Sequence, residues 1–334
     1  AWCAPRSQRS SLRRRSLLPL WYDSGMTSHG SMRVPPDRGH LSTEQPHTAS
    51  VDLDALGTRA CIDLMIDDHR AVTDAVHGAR EALERLIDEL VERLRHGGRL
   101  IYLGAGTSGR LGVLDASECP PTFQSPPNQI IGLIAGGDAA LRRSSEGMED
   151  DPDGANNALY ELRLNERDTV IGIAAGGTTP YVLGAIRLAK TAGAMTAFIT
   201  CVKREAVERC DHHIVLETGP EILTGSTRLK AGSATKLALN IITTTAFIRL
   251  GKTYGNLMVD LRATNDKLTD RAIRILRTIS PELDREAALH LLRDANGELK
   301  TAAVMERIGV DATTARRLLE EHDGHLRAVI GPPG

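Results

Sequence analysis

A glycine-rich loop near residue 104 has the composition of an anion site. The segment Gly104-Ala105-Gly106-Thr107-Ser108-Gly109 follows a short apolar run and precedes a helix-length segment, so its amides could hold a phosphate at a helix N-terminus. The glycines fit the dinucleotide pattern GxGxxG, but the next strand ends in Ala135-Gly136-Gly137, without the acidic residue that a ribose needs. A compact phosphomonoester is favoured over a dinucleotide or a tight turn without chemistry. The residues expected to bind it are Gly106, Thr107, Ser108 and Gly109.

A second loop of the same kind, Gly176-Gly177-Thr178-Thr179-Pro180, follows the third predicted strand. Proline is favoured at the first position of a helix, so this loop also enters a helix, and two such loops at one sheet edge could hold one anion. An ordinary strand-to-helix turn is the alternative. The residues expected to bind phosphate here are Gly177, Thr178 and Thr179.

A third segment, Thr224–Gly232, places hydroxyl groups and two cations before a long predicted helix. An arginine there could bind an anionic group through two parallel hydrogen bonds. Surface cations without a ligand are the alternative. The residues expected to bind substrate in this region are Glu221, Ser226, Thr227, Arg228 and Lys230.

Two carboxylates near these loops could perform proton chemistry, which needs separate acid and base groups. Glu118 ends the helix after the first loop, and Cys119-Pro120-Pro121 is expected to break that helix and turn the side chain inward. Glu149 follows the helix predicted after the second strand. The alternatives are a helix-end carboxylate for Glu118 and a solvated acidic run for Glu149.

The charge balance argues against nucleic-acid and membrane partners. The 334 residues include 41 Lys and Arg against 43 Asp and Glu, a formal charge of -2, so no cationic surface for a polyanion is expected. No apolar run approaches the roughly 18 to 20 residues that span a bilayer. The five cysteines form no CxxC pair, which favours a reducing cytoplasm and indicates neither a disulfide framework nor a metal site.

Hydrophobic periodicity predicts an α/β fold. Apolar residues recur at three- and four-residue steps from Val72 to Leu94, which is typical of one amphipathic helix. Short apolar runs then alternate with helix-length segments, as in a doubly wound, five-stranded parallel sheet. The predicted strands are 101–103, 130–134, 169–173, 196–200 and 213–216, and the predicted helices that follow them are 109–117, 138–148, 180–193, 203–210 and 230–250.

The composition divides the chain into three regions. Residues 1–50 are rich in Arg, Pro and Ser and begin with Ala, so we expect a disordered or non-native extension without chemistry. Residues 51–265 contain the predicted sheet and the helices before it. Residues 266–334 are expected to form a small bundle of short helices with breaks at Ser280-Pro281, Asn296-Gly297, Gly309 and Asp323-Gly324.

Five segments, in order, resemble the N-acetylmuramic acid 6-phosphate etherase family, whose members carry a sugar isomerase (SIS) domain. The resemblance extends from about Leu41 to Ile330, and the segments are 99–123, 132–137, 146–150, 224–232 and 254–268. It implies an SIS-like fold with a small ubiquitin-associated-like bundle at the C-terminus. It also implies a cytoplasmic homodimer that needs no metal or nucleotide.

The resemblance further implies a lyase that cleaves the D-lactyl ether of N-acetylmuramic acid 6-phosphate during cell-wall sugar recycling. The products are N-acetylglucosamine 6-phosphate and D-lactate, and the family's two active-site carboxylates correspond to Glu118 and Glu149. In the ring-opened aldehyde the carbonyl acidifies the C2 proton, so lactate can be eliminated without a metal. We hypothesise that Glu149 removes this proton, while Glu118 starts protonated, donates to the departing oxygen and then activates the water that adds at C3.

The second loop departs from the family pattern Ala-Ser-Gly-Arg-Thr-Pro-Tyr, since Gly176 and Thr178 stand where Ser and Arg are usual. Weaker phosphate binding or an altered substrate is therefore expected. The alternative enzyme is a sugar-phosphate isomerase with the same domain. The alternative from another class is a sugar-phosphate sensor like the glucokinase regulatory protein, although that protein resembles two such domains and this chain has the length of one. Release of lactate distinguishes these functions.

Overall fold

The computed structural model describes residues 36–203 and 210–333. Contacts divide the chain into the units Ala1–Asp37 and Arg38–Gly334, and the fold described below is that of the second unit. The predicted extension over residues 1–35 and most of the predicted helix over 203–210 lie outside the described residues.

The N-terminal part of this unit is helical. Three short 3-10 helices precede the first α-helix, at Ser42–Glu44, Thr48–Ser50 and Leu53–Ala55. Leu41 and Thr43 are buried, so the described end of the expected extension is folded, and that part of the prediction is wrong. The α-helices that follow are α1 Thr58–Asp68, α2 Arg70–Gly78 and α3 Arg80–Arg95.

Two helices therefore replace the single one predicted over Val72–Leu94. They meet at Ala79, directly after Gly78, and glycine is a poor helix former. The apolar face nevertheless continues across the junction, because Val76, Ala79 and Leu83 are all buried in one cluster.

A five-stranded parallel sheet follows, as predicted, in the order β2-β1-β3-β4-β5. Its strands are β1 Leu100–Gly104, β2 Ile130–Ile134, β3 Thr169–Ile173, β4 Met195–Thr200 and β5 His212–Val215. Every predicted strand is confirmed to within one residue. Strands β1, β3 and β4 are buried along their whole length, which is why they read as continuous apolar runs.

Helices cover both faces of the sheet. They are α4 Gly106–Phe123, α5 Asn156–Leu162, α6 Pro180–Thr191 and α7 Lys230–Arg249. Helices α3, α4 and α7 share a buried cluster with Leu100 and Tyr102, whereas α5 and α6 pack with Ile101 and Leu103 on the other face. The sheet is therefore doubly wound. Its connections diverge between β1 and β3, and ligands bind at the carboxyl ends of strands at such a point.

Two helix predictions near the site are wrong. The stretch 138–148 forms two 3-10 helices, Asp138–Leu141 and Glu146–Met148, and the weak helix formers Ser144 and Ser145 lie between them. Helix α4 continues through Pro120 and Pro121 to Phe123. The expected break at Cys119-Pro120-Pro121 does not occur, and the helix ends where Gln124 takes a φ of 52°.

The last part of the chain contains a two-stranded ribbon and five helices. The elements are β6 Thr253–Tyr254, β7 Leu257–Met258, α8 Asp266–Ile279, α9 Arg285–Asp294, α10 Leu299–Ile308, α11 Ala312–Glu321 and α12 Leu326–Ile330. Every predicted break falls between two of these helices. Their buried core also includes Tyr254, Val259 and Leu261, so the packing of this region begins before residue 266.

Candidate active site

The turn from β1 into α4 exposes backbone amides at the carboxyl edge of the sheet. Gly106 begins α4 with a φ of 51°, a backbone conformation that glycine adopts readily. Thr107 and Ser108 follow it and are partly exposed. The N–H groups of a first helical turn have no acceptor within the helix, so these three residues present amides and two hydroxyl groups to a ligand.

Gly109 does not share this role. It is buried, and its N–H donates to the carbonyl oxygen of Ala105 over 3.2 Å. A Cβ here would lie 2.6 Å from the carbonyl oxygen of Gly104, so glycine is needed for the helix to start against its own strand. The Gly109 N–H thus serves its own helix, and phosphate binding by Gly109 stays a prediction.

The second loop lies beside the first, because β1 pairs directly with β3. Pro180 is the first residue of α6, and Thr179 precedes it as the N-cap residue. Thr178 and Thr179 are partly exposed, whereas Gly177 is buried and its N–H donates to the carbonyl oxygen of Ala174 over 2.9 Å. The threonines keep their predicted place at the site, and the Gly177 N–H serves the turn instead.

The third segment contacts the first loop. A Cβ on Gly232 would lie 3.5 Å from both Thr107 Cγ2 and the Thr227 carbonyl oxygen, which places the start of α7 against the first loop. Ser226 and Thr227 are partly exposed, and Arg228 is exposed. The structure therefore brings three of the predicted anion-binding segments to one edge of the sheet.

Lys230 and Glu221 have other partners. Lys230 Nζ lies 2.5 Å from Asp68 Oδ1 in a buried pair, with 3% and 7% of the two side chains exposed. The carboxylate of Glu221 accepts the N–H groups of Lys230 and Ala231 at 3.1 and 2.9 Å. Burial raises the pKa of Glu221, and these N–H bonds oppose that rise. Both residues hold the start of α7 inside the protein, and their binding of substrate stays a prediction.

Sequence reasoning missed the N-terminal segment Leu41–Glu44. The Gly225 N–H donates to the carbonyl oxygen of Thr43 over 3.2 Å, and a Cβ on Gly225 would lie 3.1 Å from Glu44 Oε2. A Cβ on Gly176 would lie 4.0 Å from Thr43 Oγ1, so the segment joins the second and third loops. Nothing in the local sequence indicated these contacts, because they join residues that are far apart along the chain, such as Thr43 and Gly225.

Glu149 lies beside the first loop. With Gly106, Arg110 and Ser145 it lines a small cavity at the start of α4. Its carbonyl oxygen accepts the N–H of Tyr181 over 3.0 Å, which ties the residue to the start of α6. The structure thus places Glu149 beside the first glycine-rich loop rather than in a remote acidic run.

Glu118 lies far from Glu149 within one chain. It comes twelve residues after Gly106 on α4, which corresponds to about 18 Å along a helix. Its side chain is 59% exposed, and Lys236 Nζ on α7 lies 3.3 Å from its Oε2. The prediction that a helix break turns Glu118 inward is therefore wrong, and this chain alone does not bring the two carboxylates together.

Two broader features were searched for in the described ranges. No described helix is long and apolar enough to cross a membrane. Within residues 36–203 and 210–333, no group of three or more His, Cys, Asp or Glu side chains has an arrangement that could hold a metal ion.

Comparison with known proteins gives consistent matches. The family model for the N-terminal SIS domain of the glucokinase regulatory protein matches residues 82–190. The N-acetylmuramic acid 6-phosphate etherase of Synechococcus sp. (strain CC9605) is 50% identical over 299 residues, which cover 89% of this chain and 94% of that protein. The etherase of Gloeobacter violaceus is 51% identical over 296 residues, covering 88% and 96%.

Solved structures share a smaller part of the chain. A phosphoheptose isomerase from Francisella tularensis superposes with a TM-score of 0.46 at 16% identity, covering 58% of this chain and all of that one. A putative sugar-phosphate isomerase from Listeria monocytogenes gives 0.44 at 16% identity, covering 59% and 94%.

Proposed function

The chain belongs to the N-acetylmuramic acid 6-phosphate etherase family, and from this premise we propose that it cleaves the D-lactyl ether of N-acetylmuramic acid 6-phosphate. The products are D-lactate and N-acetylglucosamine 6-phosphate. The observation that carries the proposal is 50% identity over 89% of the chain to a named etherase. The geometry agrees with it, because a carboxylate lies beside three segments suited to an anion.

We propose that the phosphate binds at the carboxyl edge of the sheet. The amides and hydroxyl groups of Thr107 and Ser108 face this position from the start of α4, where the helix dipole also favours an anion. Thr178 and Thr179 supply hydroxyl groups from the second loop. Arg228 is exposed in the third segment and can neutralise phosphate charge in the proposal, which offsets the absence of an arginine at position 178.

The reaction needs one base and one acid. In the open-chain sugar a base removes the C2 proton, and the electron pair forms a C2–C3 double bond as the C3–oxygen bond breaks. An acid donates a proton to the leaving lactate oxygen. Water then adds at C3 after losing a proton to a carboxylate, and C2 is reprotonated, so no redox partner is required. Glu118 and Glu149 supply these acid and base groups in the proposal.

The length of the substrate supports a site that includes a second copy of the chain. C2 and C3 lie roughly 7 to 8 Å from phosphorus in an extended sugar, given C–C bonds near 1.5 Å. Glu118 of the same chain lies about 18 Å along α4 from the phosphate loop, beyond the reach of its side chain. We therefore propose a homodimer in which Glu118 of the partner subunit joins Glu149 in one site.

Exposed apolar side chains on α4 and α1 support this assembly. Leu114, one turn earlier on α4, is 41% exposed, and Ile62 and Ile66 on α1 are 49% and 62% exposed. Helix α1 contributes no buried residue at all. Exposed apolar side chains of this kind are typical of surfaces that a partner covers.

The first test is D-lactate release from N-acetylmuramic acid 6-phosphate by the purified protein. Glu118→Gln and Glu149→Gln should each lower the rate by about 10²- to 10⁴-fold, the usual contribution of a general acid or base. Glu161→Gln on α5, which is exposed, is the matched control and should keep the wild-type rate. A folded protein that binds the sugar phosphate without releasing lactate would instead be an isomerase or a sensor.

We place this reaction in the cytoplasmic recycling of cell-wall amino sugars, where a lactyl ether of an amino sugar is the material to be degraded. The near balance of charge, with 41 basic and 43 acidic residues, supports a small-molecule substrate rather than a nucleic acid or an anionic membrane.

A further inference from the structure

Glu149 ends a segment that has little regular structure of its own. Over residues 135–149, which we call the Glu149 segment, the chain forms two 3-10 helices, Asp138–Leu141 and Glu146–Met148, and no α-helix. Hydrogen bonds in 3-10 helices have poorer geometry than those in α-helices, so they give weak support to a carboxylate that must keep a fixed position. The position of Glu149 therefore depends on groups that hold the segment from outside.

One guanidinium group holds the Glu149 segment to α4. Arg110 Nη2 donates to the carbonyl oxygen of Ala140 over 2.7 Å, and Arg110 Nε donates to that of Leu141 over 3.2 Å. A longer contact of 3.4 Å joins Nη2 to the carbonyl oxygen of Arg143. Ala140 and Leu141 are the last two residues of a 3-10 helix, and the final carbonyl groups of a helix lack partners within it. Arg110 therefore supplies donors where the segment needs them.

Arg110 also belongs to the helix that presents the first loop. It lies four residues after Gly106 on α4, and residues at this spacing share one helix face. Arg110, Gly106 and Glu149 line the same cavity of about 30 Å³. A single side chain on the helix of the first loop thus holds the segment that carries the carboxylate.

Two further hydrogen bonds hold the Glu149 segment independently of Arg110. Ser145 donates its hydroxyl to the carbonyl oxygen of Ala135 over 3.2 Å, and the Glu149 carbonyl oxygen accepts the Tyr181 N–H over 3.0 Å. A Cβ on Gly136 would lie 2.5 Å from Ser145 Oγ, so the segment packs closely against the end of β2. Loss of Arg110 should therefore displace the segment without unfolding the protein.

We propose that Arg110 is a positioning residue for Glu149, because it fixes the Glu149 segment against the start of α4. This inference rests on the proposed role of Glu149 in lactate release. Arg110 acts through the carbonyl oxygens of the segment on the place of the Glu149 carboxylate, and it transfers no proton itself. A displacement of about 1 Å can lower a catalysed rate about 10²-fold, so the effect of losing Arg110 falls on kcat.

Arg110→Met and Arg110→Lys test this role. Both should lower kcat for lactate release by about 10- to 100-fold, with KM changed less than about threefold, because the proposed phosphate-binding hydroxyl groups remain. Lysine keeps the charge but lacks the planar group that binds two acceptors at once, so it should not restore the rate. A raised KM with unchanged kcat would mean that Arg110 binds substrate, and a fully active Arg110→Lys would mean that its charge alone matters. Either result would overturn the proposal.

A double variant shows whether Arg110 acts through Glu149. Adding Arg110→Met to Glu149→Gln should lower kcat by less than about twofold further, because displacing a carboxylate that is already lost has no effect. If the two losses multiply instead, Arg110 acts independently of Glu149 and the proposal is wrong. Arg277→Met is the matched control. Arg277 also donates to a loop carbonyl oxygen, that of Leu283 over 3.0 Å, but in the C-terminal region, so this variant should keep the wild-type kcat.

Amide hydrogen exchange gives a readout that does not depend on the etherase reaction. In Arg110→Met the amides of residues 138–149 should exchange faster than in the wild type, whereas those of β1 and β3 should not change. Melting temperatures show which variants fold, and Arg110→Lys serves for the same comparison if Arg110→Met does not. If the wild type releases no lactate, the proposed function fails, yet exchange still decides whether Arg110 holds the segment. Unchanged exchange over residues 138–149 in a folded variant would contradict the proposal.

Discussion

Mixed dimers test whether two chains build one active site. In the proposed homodimer each site takes Glu118 from one subunit and Glu149 from the other. A dimer of one Glu118→Gln chain and one Glu149→Gln chain then contains one site with both carboxylates and one with neither. With two-fold symmetry, such a mixed dimer should therefore have about half of the wild-type activity. Each parent variant alone should retain less than about 1%, given the 10²- to 10⁴-fold cost of losing an acid or base.

The assay is D-lactate release by mixed dimers purified through two different affinity tags. A second mixed dimer, of wild type and the Glu118→Gln/Glu149→Gln double variant, is the control. It should be nearly inactive if sites are shared, because each of its sites lacks one carboxylate. If each chain instead held a complete site, the first dimer would be inactive and the second half-active, and the reasoning from the length of α4 would be refuted.

Three further variants test charged residues, two at the start of α7 and one in the C-terminal region. Arg228→Ala should raise KM about tenfold without destabilising the fold, since the side chain is exposed. Lys230→Met should lower the free energy of unfolding by about 1 to 3 kcal/mol, because the buried Asp68 carboxylate loses its ammonium partner and keeps the contact with His47 Nε2 at 3.1 Å. Steady-state kinetics measures the effect of Arg228→Ala on KM, and urea unfolding measures the effect of Lys230→Met on stability. A Lys230→Met protein as stable as the wild type would contradict the structural role given to Lys230. Burial acts to raise the pKa of Asp260, but Lys300 and Lys252 outweigh it and lower that pKa below 3.8. Asp260→Asn should therefore cost about 1 to 2 kcal/mol at pH 7, and the cost should disappear as the pH falls below 3.8 through the lowered pKa; a cost independent of pH would show that the charge is not responsible.

The strands were predictable because their signal is local. Ile101 and Leu103 face one side of the sheet while Leu100 and Tyr102 face the other, and all four are fully buried. A strand covered on both faces needs apolar residues at every position, so its sequence is sufficient to identify it. The helix ends near the C-terminus were predictable for a similar reason, since Gly309 ends α10 with a φ of 74°, which glycine adopts readily.

The errors in the helices came from competition between neighbouring signals. The run from Val72 to Leu94 has a continuous apolar face, yet one helix ends and the next begins at Ala79 without interrupting that face. At Pro120 and Pro121 the opposite occurred, because packing of Cys119 and Phe123 in the core keeps the helix intact despite two missing N–H donors. Tertiary packing outweighed local preference at these positions.

The sequence by itself determined which residue types could do the chemistry and at which edge of the sheet the loops would lie. Loops that leave parallel strands must emerge at one edge, so the positions of Thr107 and Thr179 followed from strand order in the chain. Only the tertiary structure decided which charged side chains are already paired within the protein. Lys230 is neutralised by Asp68, and Lys236 contacts Glu118 across 118 positions of sequence. The partner of a charge depends on distance in space, which no local pattern contains.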